Sequence, residues 1–314
     1  MRMGRMLALG ASLLVLLSAC STGGGSSTPT VAGATSAGSV TIKLGSDGFY
    51  ESKLMAEIYG QALEAKGFKV DRAGLGLGTR KVTAAALESG QIDLKPEYIG
   101  SGLAYYDATR TTGDAASNAS ALQTILNGKG GGITVLNYSP ATDFNAFVVR
   151  KDTATQFNLT KLSDLTAVQA QLKFGVANDC PTNVVCAKAL KDAYGLDLSK
   201  ATLLSACDTP MVQALAGKTI DVGELCSTQP DIQINGWVIL TDDKATQPAE
   251  NIAPLVRNDY LAKVDKTSFE KILNDVSAAM DTATLTDLGK QVSVDKKDIA
   301  AVAKAWLQSK SLVK

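Results

Sequence analysis

Residues 86–93 read Ala-Leu-Glu-Ser-Gly-Gln-Ile-Asp, and residues 214–221 read Ala-Leu-Ala-Gly-Lys-Thr-Ile-Asp, 128 positions later. In each copy an apolar-periodic helix (Val82, Ala85, Ala86; Val212, Ala214, Leu215) runs into small residues, Ser89-Gly90 or Gly217. Such residues suit a helix C-terminus, where the chain turns through positive φ. Ile-Asp and a short apolar strand follow, Ile92–Leu94 and Ile220–Leu225. Each strand empties into a polar segment, Tyr98-Ile99-Gly100-Ser101 or Cys226-Ser227-Thr228-Gln229. Ligands of open α/β sheets bind outside the carboxyl ends of the strands. Two copies of the unit therefore predict two similar lobes whose strand ends face one cleft.

Outward from the repeat, strands and helices alternate. Strands are expected at 40–45, 69–75, 93–97, 133–137, 145–151, 173–177, 201–205, 237–241 and 252–256. Helices are expected at 51–66, 79–88 (capped by Thr79), 102–108, 114–126, 184–194, 269–280, 285–292 and 298–308. This alternation is the signature of an α/β fold with mostly parallel sheets flanked by helices. Ala146–Val149 and Trp237–Leu240 flank the second copy and read as strands that cross between lobes, with Trp237 in the core. Lobe 1 is then 40–145 plus 241–314, and lobe 2 is 146–240. Two lobes on a two-strand hinge can close around a solute.

The chain starts with Arg2 and Arg5 ahead of a short apolar run, Met6–Leu17, that ends Leu17-Ser18-Ala19-Cys20. The run is shorter than the ~20 residues a spanning helix needs. Residues 1–19 are expected to be a signal peptide resembling the bacterial lipoprotein signal, with Cys20 as the acylated first residue of the mature chain. Residues 20–39, rich in Ser, Thr, Gly and Ala, form a flexible tether to that anchor. Charge is balanced, with 31 basic and 31 acidic residues and no basic run, so a nucleic-acid partner is not expected. The chain has no histidine, which excludes Ser-His-Asp and Cys-His catalysis and His-ligated zinc. The carboxylates Glu224, Asp231 and Asp242-Asp243 read as solvated charge, not as a catalytic pair. Neither a metal nor a cofactor is expected.

Four cysteines remain after Cys20: Cys180, Cys186, Cys207 and Cys226. An exported chain meets an oxidising compartment, so an even set reads as disulfides. Of three connectivities, Cys180–Cys186 closes a local loop and Cys207–Cys226 would join the ends of two neighbouring strands. That pairing is the favoured one.

A set of ordered stretches now carries a resemblance. They are Ser46-Asp47-Gly48-Phe49-Tyr50-Glu51, Ala86–Gly90 through Pro96-Glu97-Tyr98-Ile99-Gly100-Ser101, and Asp143–Val149. Further on come Asn178-Asp179-Cys180-Pro181, Tyr194-Gly195-Leu196, Ser227-Thr228-Gln229-Pro230, and Asp242-Asp243-Lys244 through Gln247–Asn251. Together they resemble the substrate-binding lipoproteins of ABC importers that take glycine betaine, choline, carnitine and related osmoprotectants. The resemblance implies a type II-like two-lobe periplasmic-binding-protein fold, no catalysis, a monomer, and delivery to a permease with its ATPase.

A quaternary ammonium cannot donate hydrogen bonds and is held best by ring faces. The other end of such a solute, a carboxylate or hydroxyl, needs donors. The strand-end rule nominates Ser46 and Phe49 after the first strand, with Tyr50 beside them. It nominates Tyr98 and Ser101 after the first repeat strand, Asn145 at the hinge, Asn178 and Asp179 in lobe 2, and Ser227, Thr228 and Gln229 after the second repeat strand. Lobe 2 carries only Phe147, Phe157, Phe174, Tyr194 and Trp237 as rings, and none follows a cleft-facing strand end. The family's usual aromatic cage draws rings from both lobes; here the expected cage is either incomplete or built from lobe 1 alone. The solute is a betaine, a choline-like cation or a more polar, amino-acid-like compound. A solute sensor on the same fold is the alternative to transport.

Overall fold

Each copy of the helix–strand unit supplies the third strand of a five-stranded sheet, and the two sheets have the same order. The structure is a computed structural model and describes residues 40–314; the expected signal peptide, tether and Cys20 lie outside the described residues. The strands are β1 (Thr41–Gly45), β2 (Lys69–Gly74), β3 (Leu94–Tyr98), β4 (Ile133–Val135), β5 (Asn145–Val149), β6 (Phe174–Ala177), β7 (Thr202–Leu204), β8 (Val222–Cys226), β9 (Val238–Ile239) and β10 (Ile252–Arg257). The sheets run β2-β1-β3-β10-β4 and β7-β6-β8-β5-β9. In each, one strand is reversed against both neighbours, β10 in the first and β5 in the second, and the other four point one way.

The helices are α1 (Tyr50–Glu64), α2 (Arg80–Ser89), α3 (Ile99–Asp107), α4 (Ala115–Leu126), α5 (Lys151–Phe157), α6 (Ala189–Tyr194), α7 (Thr209–Ala216), α8 (Pro230–Ile234), α9 (Asn258–Leu261), α10 (Lys266–Ala278), α11 (Thr282–Ser293) and α12 (Ile299–Ser309). They cover both sheet faces, and the reversed strands show it by period-two alternation. Ile252 and Val256 join the core under α1 and the last three helices, while Ala253 and Leu255 join the core under α2, α3 and α4. In lobe 2, Phe147 and Val149 face one core and Ala146 and Val148 the other. Among the described residues no helix is long and apolar enough to cross a membrane.

The correspondence between the lobes extends to single bonds. Ile92 N–H donates to Ala86 O at 3.1 Å, and Ile220 N–H to Ala214 O at 3.3 Å. Asp93 N–H reaches Lys43 O and Asp221 N–H reaches Lys173 O, both at 2.7 Å. Each aspartate carboxylate accepts in return from its lysine N–H, at 2.9 and 3.0 Å. An arginine stands at the end of each reversed strand. Arg257 Nη1 donates to Leu87 O at 2.7 Å and Arg150 Nη1 to Leu215 O at 3.0 Å. These carbonyls belong to the last turns of α2 and α7, where the helix leaves them without partners and a cation is favoured.

Several expectations are corrected. Gly90 takes the left-handed position after α2 (φ 78°), but Gly217 stays at φ −77° and Lys218 takes it instead (φ 60°). Lys218, not Gly217, is the residue 128 positions beyond Gly90. Ala146–Val149 and Trp237–Leu240 do not cross between lobes. Ala146–Val149 is fully buried and pairs with β8 and β9 inside the second sheet. The two crossings lie just outside, where Thr142 bridges Asn251 in antiparallel fashion and Asp143 N–H donates to Glu250 O at 3.0 Å. The hinge is thus still two side-by-side segments. Trp237 is half-buried at the edge of a core, not inside it. Thr79 occupies the N-cap of α2 without a side-chain cap bond. The chain turns helical at Lys151, and the expected helix at 184–194 is a π-helical turn, Val184–Lys188, followed by α6. Disulfides join Cys180 to Cys186 and Cys207 to Cys226. The second ties the ends of β7 and β8, which are not neighbours, since β6 lies between them.

Candidate functional site

The carboxyl ends of β1, β3, β6 and β8 meet around a cavity of about 340 Å³ between the lobes. Its lobe 1 wall begins with Phe49, at the N-cap of α1, and Tyr98, the last residue of β3. Their ring centroids are 5.7 Å apart at 37°, and Tyr98 is 4 % exposed. The Tyr98 hydroxyl donates to Glu51 Oε1 at 2.7 Å. Glu51 Oε2 accepts from Thr228 Oγ1 of lobe 2 at 2.6 Å. Asp143, on the crossing segment, accepts from Thr228 N–H at 3.0 Å and from Ser227 Oγ at 3.1 Å. This cluster joins the lobes beside the hinge. Burial pushes the Glu51 carboxyl well up, and the neighbouring Asp143 charge pushes it further; burial also raises Asp143.

Below the rings lies a buried ionic network. Lys95, fully buried on β3, donates to Asp47 Oδ1 and Glu97 Oε2, each at 3.0 Å, and to Thr83 Oγ1 at 2.9 Å. Arg80 Nε donates to Glu97 Oε1 at 3.0 Å. Burial works against the Asp47 charge, but Lys95 and Arg80 outweigh it and hold the carboxyl low. Asp47, Glu97, Lys95 and Arg80 therefore form two cations against two anions, neutral as a group.

Two further buried carboxyls line the cavity, Glu250 and Glu224. Gly100 lets the first turn of α3 close on the crossing, for a Cβ there would sit 2.5 Å from Ala249 O. That approach brings Ser101 N–H to Glu250 Oε2 at 3.0 Å, with Ser101 Oγ on Oε1. Burial raises Glu250 to about 7 although Arg80 opposes it. On β8, Glu224 accepts from Ala177 N–H at 2.8 Å; burial raises it to about 7 against that bond, and Asp179 adds to the rise.

Residues 40–309 match the family described as the substrate binding domain of the ABC-type glycine betaine transport system. The chain belongs to this family. Its relatives include the glycine betaine-binding protein YehZ of Escherichia coli, 28 % identical over 282 residues, 87 % of this chain and 92 % of that protein. The carnitine transport binding protein OpuCC of Listeria monocytogenes is 24 % identical over 271 residues, 85 % of this chain and 86 % of that one. A crystal structure of a glycine betaine/carnitine/choline ABC transporter protein shares the fold with a TM-score of 0.69 at 20 % identity, covering 86 % of this chain and all but 1 % of that chain (99 %). Members of the glycine betaine-type family are extracytoplasmic solute-binding proteins of ABC importers, and this chain is one, with their two-lobe fold.

Of the residues nominated from the sequence, Phe49, Tyr98, Ser101, Asn145, Asn178 and Asp179 line the cavity. Ser46, Ser227, Thr228 and Gln229 do not. Ser46 is buried and accepts from Gly76 N–H at 2.8 Å, holding the turn after β1. Ser227 and Thr228 serve the interlobe cluster, and Gln229 is the N-cap of α8. Tyr50 is buried against Gly289 of α11. Glu224, expected to be solvated, is 1 % exposed, because β8 is covered on both faces. Reading the sequence missed Asp47, Arg80, Asp143 and Glu250. A charged residue inside a strand buried throughout, as in Val222-Gly223-Glu224-Leu225-Cys226, was the available signal for Glu224, Lys95 and Glu97, whereas those four lie outside the strands and carry no such mark.

Proposed function

We propose that the chain captures a small quaternary-ammonium osmolyte of the glycine betaine or choline type and hands it to an ABC permease without chemical change. The observation that carries this is the Phe49–Tyr98 ring pair on one wall of an interlobe cavity whose other walls are rich in buried carboxylates. Ring faces and carboxylates both attract a cation that has no hydrogen to give. In the same reading Cys20 carries lipid and tethers a monomer to the membrane; a Cys20→Ala chain then leaves the membrane fraction.

Calorimetry on Tyr98 variants tests the binding step. A desolvated cation–π contact is worth about 2 kcal/mol, roughly thirtyfold in Kd. Tyr98→Ala is expected to weaken osmolyte binding at least tenfold with the fold intact. Tyr98→Phe keeps the π-face, loses only the bond to Glu51, and should weaken binding much less. Equal damage from both variants would mean that the hydroxyl is the working group. Unchanged binding in both would remove Tyr98 from the site.

A further inference from the structure

The cavity wall holds more negative charge than the chain neutralises. Six acidic side chains line it (Asp47, Asp143, Asp179, Asp208, Glu224, Glu250) against one basic side chain, Arg80. Arg80 donates to Glu97 through Nε alone, and Asp47 pairs with Lys95. Among the described residues no ion pair within 4.0 Å reaches Asp143, Glu224 or Glu250. Glu224 stands out further. Its residue is 1 % exposed, and both its contacts fall on Oε2: the Ala177 N–H and, at 3.4 Å, the sulfur of Cys186. That sulfur is bonded to Cys180 and has no proton to give. The other oxygen is left to the cavity. Lobe 2 puts no ring on this wall, so Glu224 stands where a second aromatic face is absent.

We propose that Glu224, aided by Glu250, selects the net charge of the solute: the cleft takes a small organic cation without a carboxylate, its cationic head between the Phe49–Tyr98 rings and Glu224, in preference to a zwitterion. The proposal rests on the quaternary-ammonium reading above and narrows it. A cation supplies the missing counter-charge. A zwitterion brings a carboxylate into a wall that already repels it, and the one lining guanidinium already faces three carboxylates, Glu97, Asp47 and Glu250. The amides of Asn145, Asn178 and Asn183 can serve a hydroxyl, but they neutralise no charge.

A cation also draws a proton from the site. Glu224 faces Asp179 and the Cys180–Cys186 disulfide on its own lobe; Glu250 faces Arg80, Glu97 and Ser101. Both carboxyls titrate near 7 in the unliganded chain. A bound cation favours their charged forms, so cation binding releases protons and strengthens as pH rises through about 7.

The test is calorimetric titration of the full chain with choline and with glycine betaine at pH 7.5. Choline is expected to bind at least tenfold more tightly. Glu224→Gln keeps an acceptor for Ala177 N–H, and it should bring the ratio below threefold. Choline titrations of the unaltered chain in buffers of different ionisation enthalpy should show proton release at pH 7, a readout that does not depend on the variant folding. Glycine betaine binding as tightly as choline, or more tightly, overturns this inference alone. So does an unchanged ratio in Glu224→Gln, or choline binding that releases no proton and ignores pH. Binding of neither compound overturns the quaternary-ammonium reading and this inference with it.

Discussion

The two lobes share sheet order, repeat and capping arginines, yet their third strands, β3 and β8, treat buried charge in opposite ways. In lobe 1 the strand β3 carries Lys95 and Glu97, and both are matched by Asp47 and Arg80. At the positions 128 residues later, β8 has Gly223 and Leu225, and no such network exists there. Lobe 2 instead buries one carboxyl, Glu224, that among the described residues has no cation. A matched set can be permanent, because each charge is satisfied within the fold. An unmatched carboxyl is tolerated by staying protonated until something positive arrives.

The largest effect should follow from that unmatched charge. Glu224 and Glu250 titrate near 7 in the fold and near 4.5 when unfolded. Between those values the folded chain holds protons that the unfolded chain has lost, so stability falls as pH rises through the window. Their contribution is fully present below about 4.5 and lost above about 7. Each shift corresponds to on the order of 3 kcal/mol, and Glu51, raised by burial, acts in the same direction. Urea melts of the unliganded chain at pH 4.5–8 should show the decline, and Glu224→Gln should remove about half of what these two glutamates contribute. A flat or rising profile, or one that Glu224→Gln leaves unchanged, would break the contrast between β3 and β8.

Lobe 1 offers the converse experiment. Lys95→Met removes the central cation and strands Asp47 and Glu97 in the interior. Breaking one side of a buried pair costs about 3–5 kcal/mol, which the same melts would register. A loss below about 1 kcal/mol would show that the network is not matched internally. The smallest effect separates the two repeat ends. Gly90→Ala forces a Cβ into left-handed backbone, 3.3 Å from the Arg257 guanidinium, and should cost about 1 kcal/mol. Lys218→Gly relieves strain but gives up the 2.7 Å contact with Asp152, so its change should stay within about 0.5 kcal/mol of zero.

The helix–Gly–strand echo was legible because helix ends and buried strands leave local signatures; Ile92 and Ile220 repeat the same bond that those signatures imply. Strand ends likewise led to Phe49 and Tyr98. The crossings were misplaced because an apolar strand such as Ala146–Val149 looks the same whether it spans two lobes or lies within one sheet. Glu224, Glu250 and Asp143 were hard to see for another reason. A carboxylate becomes distinctive only when burial strips its water, and burial comes from segments far away in the chain. Lys218 in the left-handed position broke a rule that favours glycine, since a long side chain found Asp152 across the lobe surface.

The cluster of Glu51, Asp143, Thr228 and Tyr98 lies beside the crossings, and this position gives it a mechanical meaning. When two bodies rotate about an axis, displacement grows with distance from it. Groups next to the pivot keep their neighbours through the swing, while those at the far rim separate. Thr228 can therefore stay bonded to Glu51 in the open and the closed molecule alike. Tyr98, tied to the same glutamate, is then a fixed anvil against which the rest of lobe 2 travels. Opening and closing would change the reach of the second lobe while leaving the Tyr98 ring where it is.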